Sequence, residues 1–86
     1  SYTMHIKIQE VIKMVFERIQ EIIADKLGLD PDDITEETSF DELEVDSLYM
    51  VEIMMAIEEE FSITIDESDG LVCVGDIVRY TEAKLR

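Results

Sequence analysis

Several function classes lack their raw material in this 86-residue chain. Its single cysteine, Cys73, rules out an internal disulfide and a multi-thiolate metal site. So sparing a use of thiols fits a reducing, cytoplasmic compartment. There is one histidine, His5, placed near a terminus that should fray, where it reads as an exposed bystander. Basic residues are scarce: 7 Lys and Arg stand against 22 Asp and Glu, a formal charge of −15. Nucleic acid is therefore excluded as a partner, because phosphate contacts require clustered Lys and Arg, and an anionic membrane surface is excluded with it. The glycines form no phosphate-cradling loop. No apolar run is long enough to cross a membrane. The first apolar residues are interleaved with charged and polar ones, unlike a secretory signal.

What remains is the profile of one small folded domain. A hydrophobic fraction of 47% argues against disorder, and the length allows a single domain, residues 1–86, with a limited core. Ser1-Tyr2-Thr3 before Met4 reads as an added tail, with Met4 the natural start. The charge calls for protein partners with basic patches, met under electrostatic steering that salt weakens. It also repels itself, so salt or divalent cations should stabilise the fold.

Taken in order, the chain opens with an amphipathic helix from about Ile6 to Lys26. Ile8, Val11, Ile12, Val15, Phe16, Ile19, Ile22 and Ile23 share one stripe, while Glu10, Lys13, Glu17, Glu21 and Asp25 fall outside it. Gly28 suits the left-handed position that ends a helix. A long connection follows, about Leu29 to Val45, with Asp30 and Pro31 starting a turn or helical stub. Ile34, Phe40 and Leu43 are spaced to pin it down. Its acids do not meet the calcium-loop spacing, which needs a glycine at the sixth position and a glutamate at the twelfth. A solvated loop with weak divalent binding is the expected state, and no metal site is assigned. Ser62-Ile63-Thr64-Ile65 reads as an extended linker, Asp66 to Gly70 as one short helical turn. The last helix spans about Val74 to Lys84, with Val74, Ile77, Val78, Thr81 and Leu85 facing inward. Cys73, before it, caps poorly and reads as a small hydrophobe.

The stretch from Glu44 to Phe61 is the one that asks for more than a fold. Asp46 is a good N-cap, which holds Ser47 exposed at a helix start. At 100° per residue, Met50, Ile53, Met54, Ile57 and Phe61 share a core face. Leu48, Val51 and Met55 lie opposite, interleaved with Glu52 and Glu59. Either this second stripe is a contact surface, as apolar patches with polar rims often are, or a neighbouring helix covers it. Ser47 is not a hydrolytic nucleophile: no Gly-x-Ser-x-Gly elbow surrounds it, and no base stands ready to take its proton. The chain is expected not to be an enzyme.

Asp46-Ser47-Leu48, then Val51-Glu52 and Ala56-Ile57-Glu58-Glu59-Glu60-Phe61, resemble the second helix of an acyl carrier protein. The resemblance runs from about Val11 to Leu85. It implies an all-α fold, a small four-helix bundle with three main helices, a short and irregular third helix, and a long loop between helices 1 and 2. It implies that Ser47 receives a 4′-phosphopantetheine arm, taken from coenzyme A by a phosphopantetheinyl transferase. Acyl intermediates held on that arm as thioesters would pass to acyl-transfer, condensing and other biosynthetic enzymes. The matching partner face comprises Asp46, Leu48, Val51, Glu52, Met55, Glu58 and Glu59, presented by a cytoplasmic monomer. Fatty-acid biosynthesis is the pathway the resemblance favours. Glu44 and Tyr49 depart from the family's usual residues and allow a specialised polyketide, peptidyl or amino-acyl carrier instead. An unmodified acidic interaction module is the alternative from a different class.

Overall fold

A computed structural model of the chain describes residues 2–66 and 70–86. Its elements are α1 (Tyr2–Leu27), a 3-10 turn (Pro31–Asp33), α2 (Ser47–Phe61) and α3 (Val74–Leu85). The architecture is all-helical: among the described residues there are three α-helices and no strand, beyond one antiparallel bridge between Ser39 and Cys73. The short third helix expected at Asp66 to Gly70 falls on residues 67–69, outside the described residues. Among the described residues the count is thus three helices and a 3-10 turn.

α1 starts at Tyr2, earlier than the apolar stripe alone suggests, and its stripe forms one wall of the core. Val15, Ile19, Ile23 and Ala24 are buried there against Ile53 and Ile57 of α2 and Val74, Ile77 and Val78 of α3. Each fully buried Ile removes enough apolar surface from water to contribute roughly 1.5–3 kcal/mol. Gly28 closes α1 at φ 69°, and the Leu29 N–H donates back to the Ala24 carbonyl at 2.9 Å. Only a residue tolerant of the left-handed region fits there. Arg18 ties α1 to the far end of α2. Its Nε and Nη2 donate to the two Glu60 oxygens at 3.2 and 2.9 Å, and its Nη1 to Glu21 at 2.9 Å. The hydrogen bond from Arg18 holds the Glu60 carboxyl below its usual range.

The long connection is anchored more firmly than its length implies. Asp30 caps the 3-10 turn through the Asp32 N–H, with Pro31 at its first position. The Gln20 amide donates to the carbonyls of Pro31 and Ile34, at 2.6 and 2.8 Å, fixing the turn to α1. Ile34 and Phe40 are buried, and Leu43 packs against the core. The connection is also laced to the entry of α3. Phe40 N–H donates to Val72 O at 3.0 Å, Val74 N–H to Thr38 O at 2.9 Å, and Gly75 N–H to Glu36 O at 2.8 Å. A side chain at Gly75 would place its Cβ 3.0 Å from that same Glu36 oxygen. Glycine is what lets the two backbones come this close.

α3 corrects one expectation. Val74, Ile77, Val78 and Thr81 face inward and are buried, but Leu85 is 39% exposed. It lies on the right face, yet as the helix's last residue it borders an open groove with Ile8 and Val11 rather than the core. Glu82 is buried instead, its carboxylate paired with Arg86 at 3.0 Å. Cys73 takes the N-cap position, half-buried. While Val74 and Gly75 donate to the long connection, Asp76 Oδ2 reaches back to accept from the N–H groups of Val72 and Cys73 at 2.9 and 3.1 Å. Those two backbone bonds, Val72's first, hold the Asp76 carboxyl below its usual range.

Candidate functional site

The approach to Ser47 is built by a single helical turn that no periodicity announces. Ser39 and Glu42 cap one another reciprocally: Ser39 N–H donates to Glu42 Oε1 and Glu42 N–H to Ser39 Oγ, both at 3.0 Å. The turn closes with Glu44 N–H on Asp41 O at 3.0 Å and Val45 N–H on Phe40 O at 3.2 Å. That pair of bonds is the ending a helix adopts when one residue goes left-handed. Glu44 is that residue, at φ 55°. The chain is thereby turned so that Val45 packs inward and Asp46 emerges extended, at φ −82° and ψ 177°.

Asp46 is the N-cap of α2, its Oδ1 accepting from Tyr49 N–H at 2.9 Å. Ser47 follows as the first helical residue and is exposed. Among the described residues no protein acceptor takes the N–H groups of Ser47 or Leu48. With the helix dipole, these donors favour a negative group on the Ser47 hydroxyl. The hydroxyl stands at the mouth of a recess of about 260 Å³ lined by Phe40, Val45, Met50 and Leu71. Phe40, Met50 and Leu71 give it an apolar wall. The sequence pattern places Met50 there, but Leu71 reaches the site only through the fold.

The two faces of α2 separate as the helical periodicity predicts. Ile53 and Ile57 are fully buried, and Met50, Met54 and Phe61 pack against the core. Among the described residues no helix covers the opposite stripe: Leu48, Val51 and Met55 are 67%, 48% and 56% exposed. Glu52 and Glu59 are exposed beside them. Glu58 is placed differently. It is half-buried at the edge of the stripe, and its Oε2 accepts from Ile65 N–H at 2.6 Å, tying down the linker after α2. Tyr49 is 43% exposed on the flank next to Ser47. Lys26, at the end of α1, lines a shallow recess with Glu52, Met55, Ala56 and Glu59. Helical periodicity does not find it, because its neighbours come from another helix. Among the described residues no cluster of three or more His, Cys, Asp or Glu converges as a metal site.

Residues 17–81 match the family described as "Phosphopantetheine attachment site". The chain belongs to the acyl carrier protein family. It is 47% identical over 72 residues to a protein of Streptococcus thermophilus named acyl carrier protein, covering 84% of this chain and 97% of that one. A protein of the same name from Clostridium acetobutylicum is 49% identical over 73 residues, covering 81% and 95%. One from Lactococcus lactis subsp. cremoris is 44% identical over 68 residues, covering 79% and 93%. The family's prosthetic group is 4′-phosphopantetheine, and its members carry acyl groups rather than transform them. No helix among the described residues is long and apolar enough to cross a membrane.

Proposed function

We propose that Ser47 is the attachment point of the 4′-phosphopantetheine arm, and that Leu48, Val51, Met55, Glu52 and Glu59 form the face read by partner enzymes. The observation that carries this is the exposed hydroxyl at the first residue of a capped helix, with free N–H groups beside it and an uncovered apolar stripe running away from it. When bound, the arm supplies a thiol that holds an acyl group as a thioester.

This chain's residues do the positioning. The N–H groups of Ser47 and Leu48 and the dipole of α2 favour the phosphodiester charge. The Asp46 carboxylate opposes that charge; its contribution is to cap α2 and to mark the serine for a transferase. Leu48, Val51 and Met55 meet apolar pockets, while Glu52 and Glu59 pair with Arg or Lys around them. Such pairing sets on-rate and orientation more than affinity, which suits a shuttle that must release. Glu58, already bonded to Ile65, contributes less of its charge to that face. The recess beside Ser47, with Met50 and Leu71 in its lining, offers an acyl chain on the arm an apolar wall to enter against. If so, octanoylating the arm shifts the methyl resonances of Met50 and Leu71. Unmoved methyls would place the chain outside.

The chain acts as a single carrier domain and a cytoplasmic monomer, and fatty-acid biosynthesis is the pathway its sequence resemblance favours. Incubation with coenzyme A, magnesium and a broad-specificity phosphopantetheinyl transferase should add one phosphopantetheine to the intact mass. Ser47→Ala should gain nothing while its circular dichroism stays unchanged, because the side chain lies outside the core. A folded wild-type protein that gains no mass with any of several transferases would leave only the unmodified docking module.

A further inference from the structure

From the recess at the foot of α1, we infer that Lys26 is a specificity-determining residue that weakens docking: it attenuates the attraction of the acidic face for a partner's Arg or Lys. The inference rests on the partner-face reading above. Lys26 is exposed and shares a recess of about 190 Å³ with Glu52, Met55, Ala56 and Glu59. Four of the other cations are occupied by acids of the same chain. Arg18 holds Glu60 and Glu21, Arg79 holds Asp76, Lys84 holds Asp66, and Arg86 holds Glu82. Lys26 forms no ion pair with Glu52 or Glu59, although both line the same recess. Its charge is therefore left in the space where a partner's cation must sit.

The electrostatics give the sign. A cationic side chain entering this recess meets two carboxylates and one ammonium, so removing the ammonium strengthens its attraction. Exposed charge pairs of this kind change equilibria by roughly 1.5- to 5-fold each. That range tunes a complex without deciding whether it forms. The occupant it selects against is a partner that places two cations here; a partner with a single Arg or Lys is tolerated and released quickly.

The test uses initial rates of arm transfer to Ser47 by a phosphopantetheinyl transferase with a basic carrier-binding surface, with coenzyme A and magnesium saturating. Lys26→Gln should lower KM for the carrier about 2- to 5-fold at low salt with kcat unchanged, since Ser47 chemistry is not touched. Lys26→Arg should retain the wild-type KM. The difference should vanish near 1 M salt, where the screening length is about 3 Å. Lys13→Gln removes the same charge from an exposed site on α1 that does not line the recess. An equal fall in KM for that variant would mean net charge alone is responsible and would overturn the assignment. So would a Lys26→Gln KM that is unchanged or raised. Met55→Asp separates the two layers of argument. If it raises KM while Lys26→Gln does nothing, only the attenuator falls; if it too leaves KM unmoved, the docking face falls and Lys26 with it.

Discussion

Glu44 occupies backbone space that most side chains avoid, at φ 55°, and Ser62 does the same at φ 54° where α2 ends. A residue with a Cβ pays roughly 1–2 kcal/mol in the left-handed region, part of which glycine would return as unfolded-state entropy. Glu44→Gly and Ser62→Gly should each therefore stabilise the protein by about 0.5–1 kcal/mol, read as a higher urea midpoint at constant m value. A lower midpoint for Glu44→Gly would show that its side chain makes up the strain. Residue-level signals were legible where a side chain has one job. Asp46 and Asp30 cap, Pro31 starts a turn, and Gly28 ends α1, all as their chemistry predicts. Glu44 stands out in the sequence only as a departure from the family's usual residue, and its backbone role stays hidden because no glycine marks it.

At the level of elements, the helices and their faces were written in the spacing of apolar residues, and the split faces of α2 came through intact. The lacing between the long connection and α3 was not. Its bonds run from Phe40, Val74 and Gly75 to carbonyls of Val72, Thr38 and Glu36, and main-chain partners leave no side-chain signature. Gln20, which bridges two carbonyls of the connection, looks like any polar residue on a helix. Leu85 misled because helical phase predicts a direction and not whether a neighbour is there to meet it.

The entry of α3 makes a testable case of acid sensitivity. Asp76 has its folded pKa depressed by the bonds from Val72 and Cys73. The stability its charge confers is therefore present above the ordinary aspartate range and is lost as the pH falls through the folded pKa. Asp76→Asn, which removes the charge and keeps the shape, should be less stable than the wild type at neutral pH. The gap should close as the solution is acidified below that folded pKa. A gap that persists unchanged in acid would mean that geometry, not charge, holds the cap.

For the whole molecule the governing quantity is the imbalance of 22 acids over 7 bases. The region from Leu29 to Asp46 contains no Lys or Arg at all, so its acids find no opposite charge within the segment. Screening should relieve that repulsion. Raising NaCl from low concentration to about 1 M should raise Tm, each 1 kcal/mol gained reading as about 4–8 °C for a domain of this size. Magnesium should do so at lower ionic strength without a defined stoichiometry. A Tm that falls with salt would mean that pairs such as Arg18 with Glu60 outweigh the repulsion.

The position of Tyr49 has an optical consequence. The chain has three tyrosines and no tryptophan, so its intrinsic emission comes from phenols alone. The Tyr80 hydroxyl donates to the Asp66 carboxylate at 2.7 Å, an arrangement that quenches phenol fluorescence. Tyr49 stands in solvent two residues after the serine. In a Tyr2→Phe background its light becomes an unlabelled gauge of the docking face, shielded from iodide when a partner settles there and exposed again when the partner leaves.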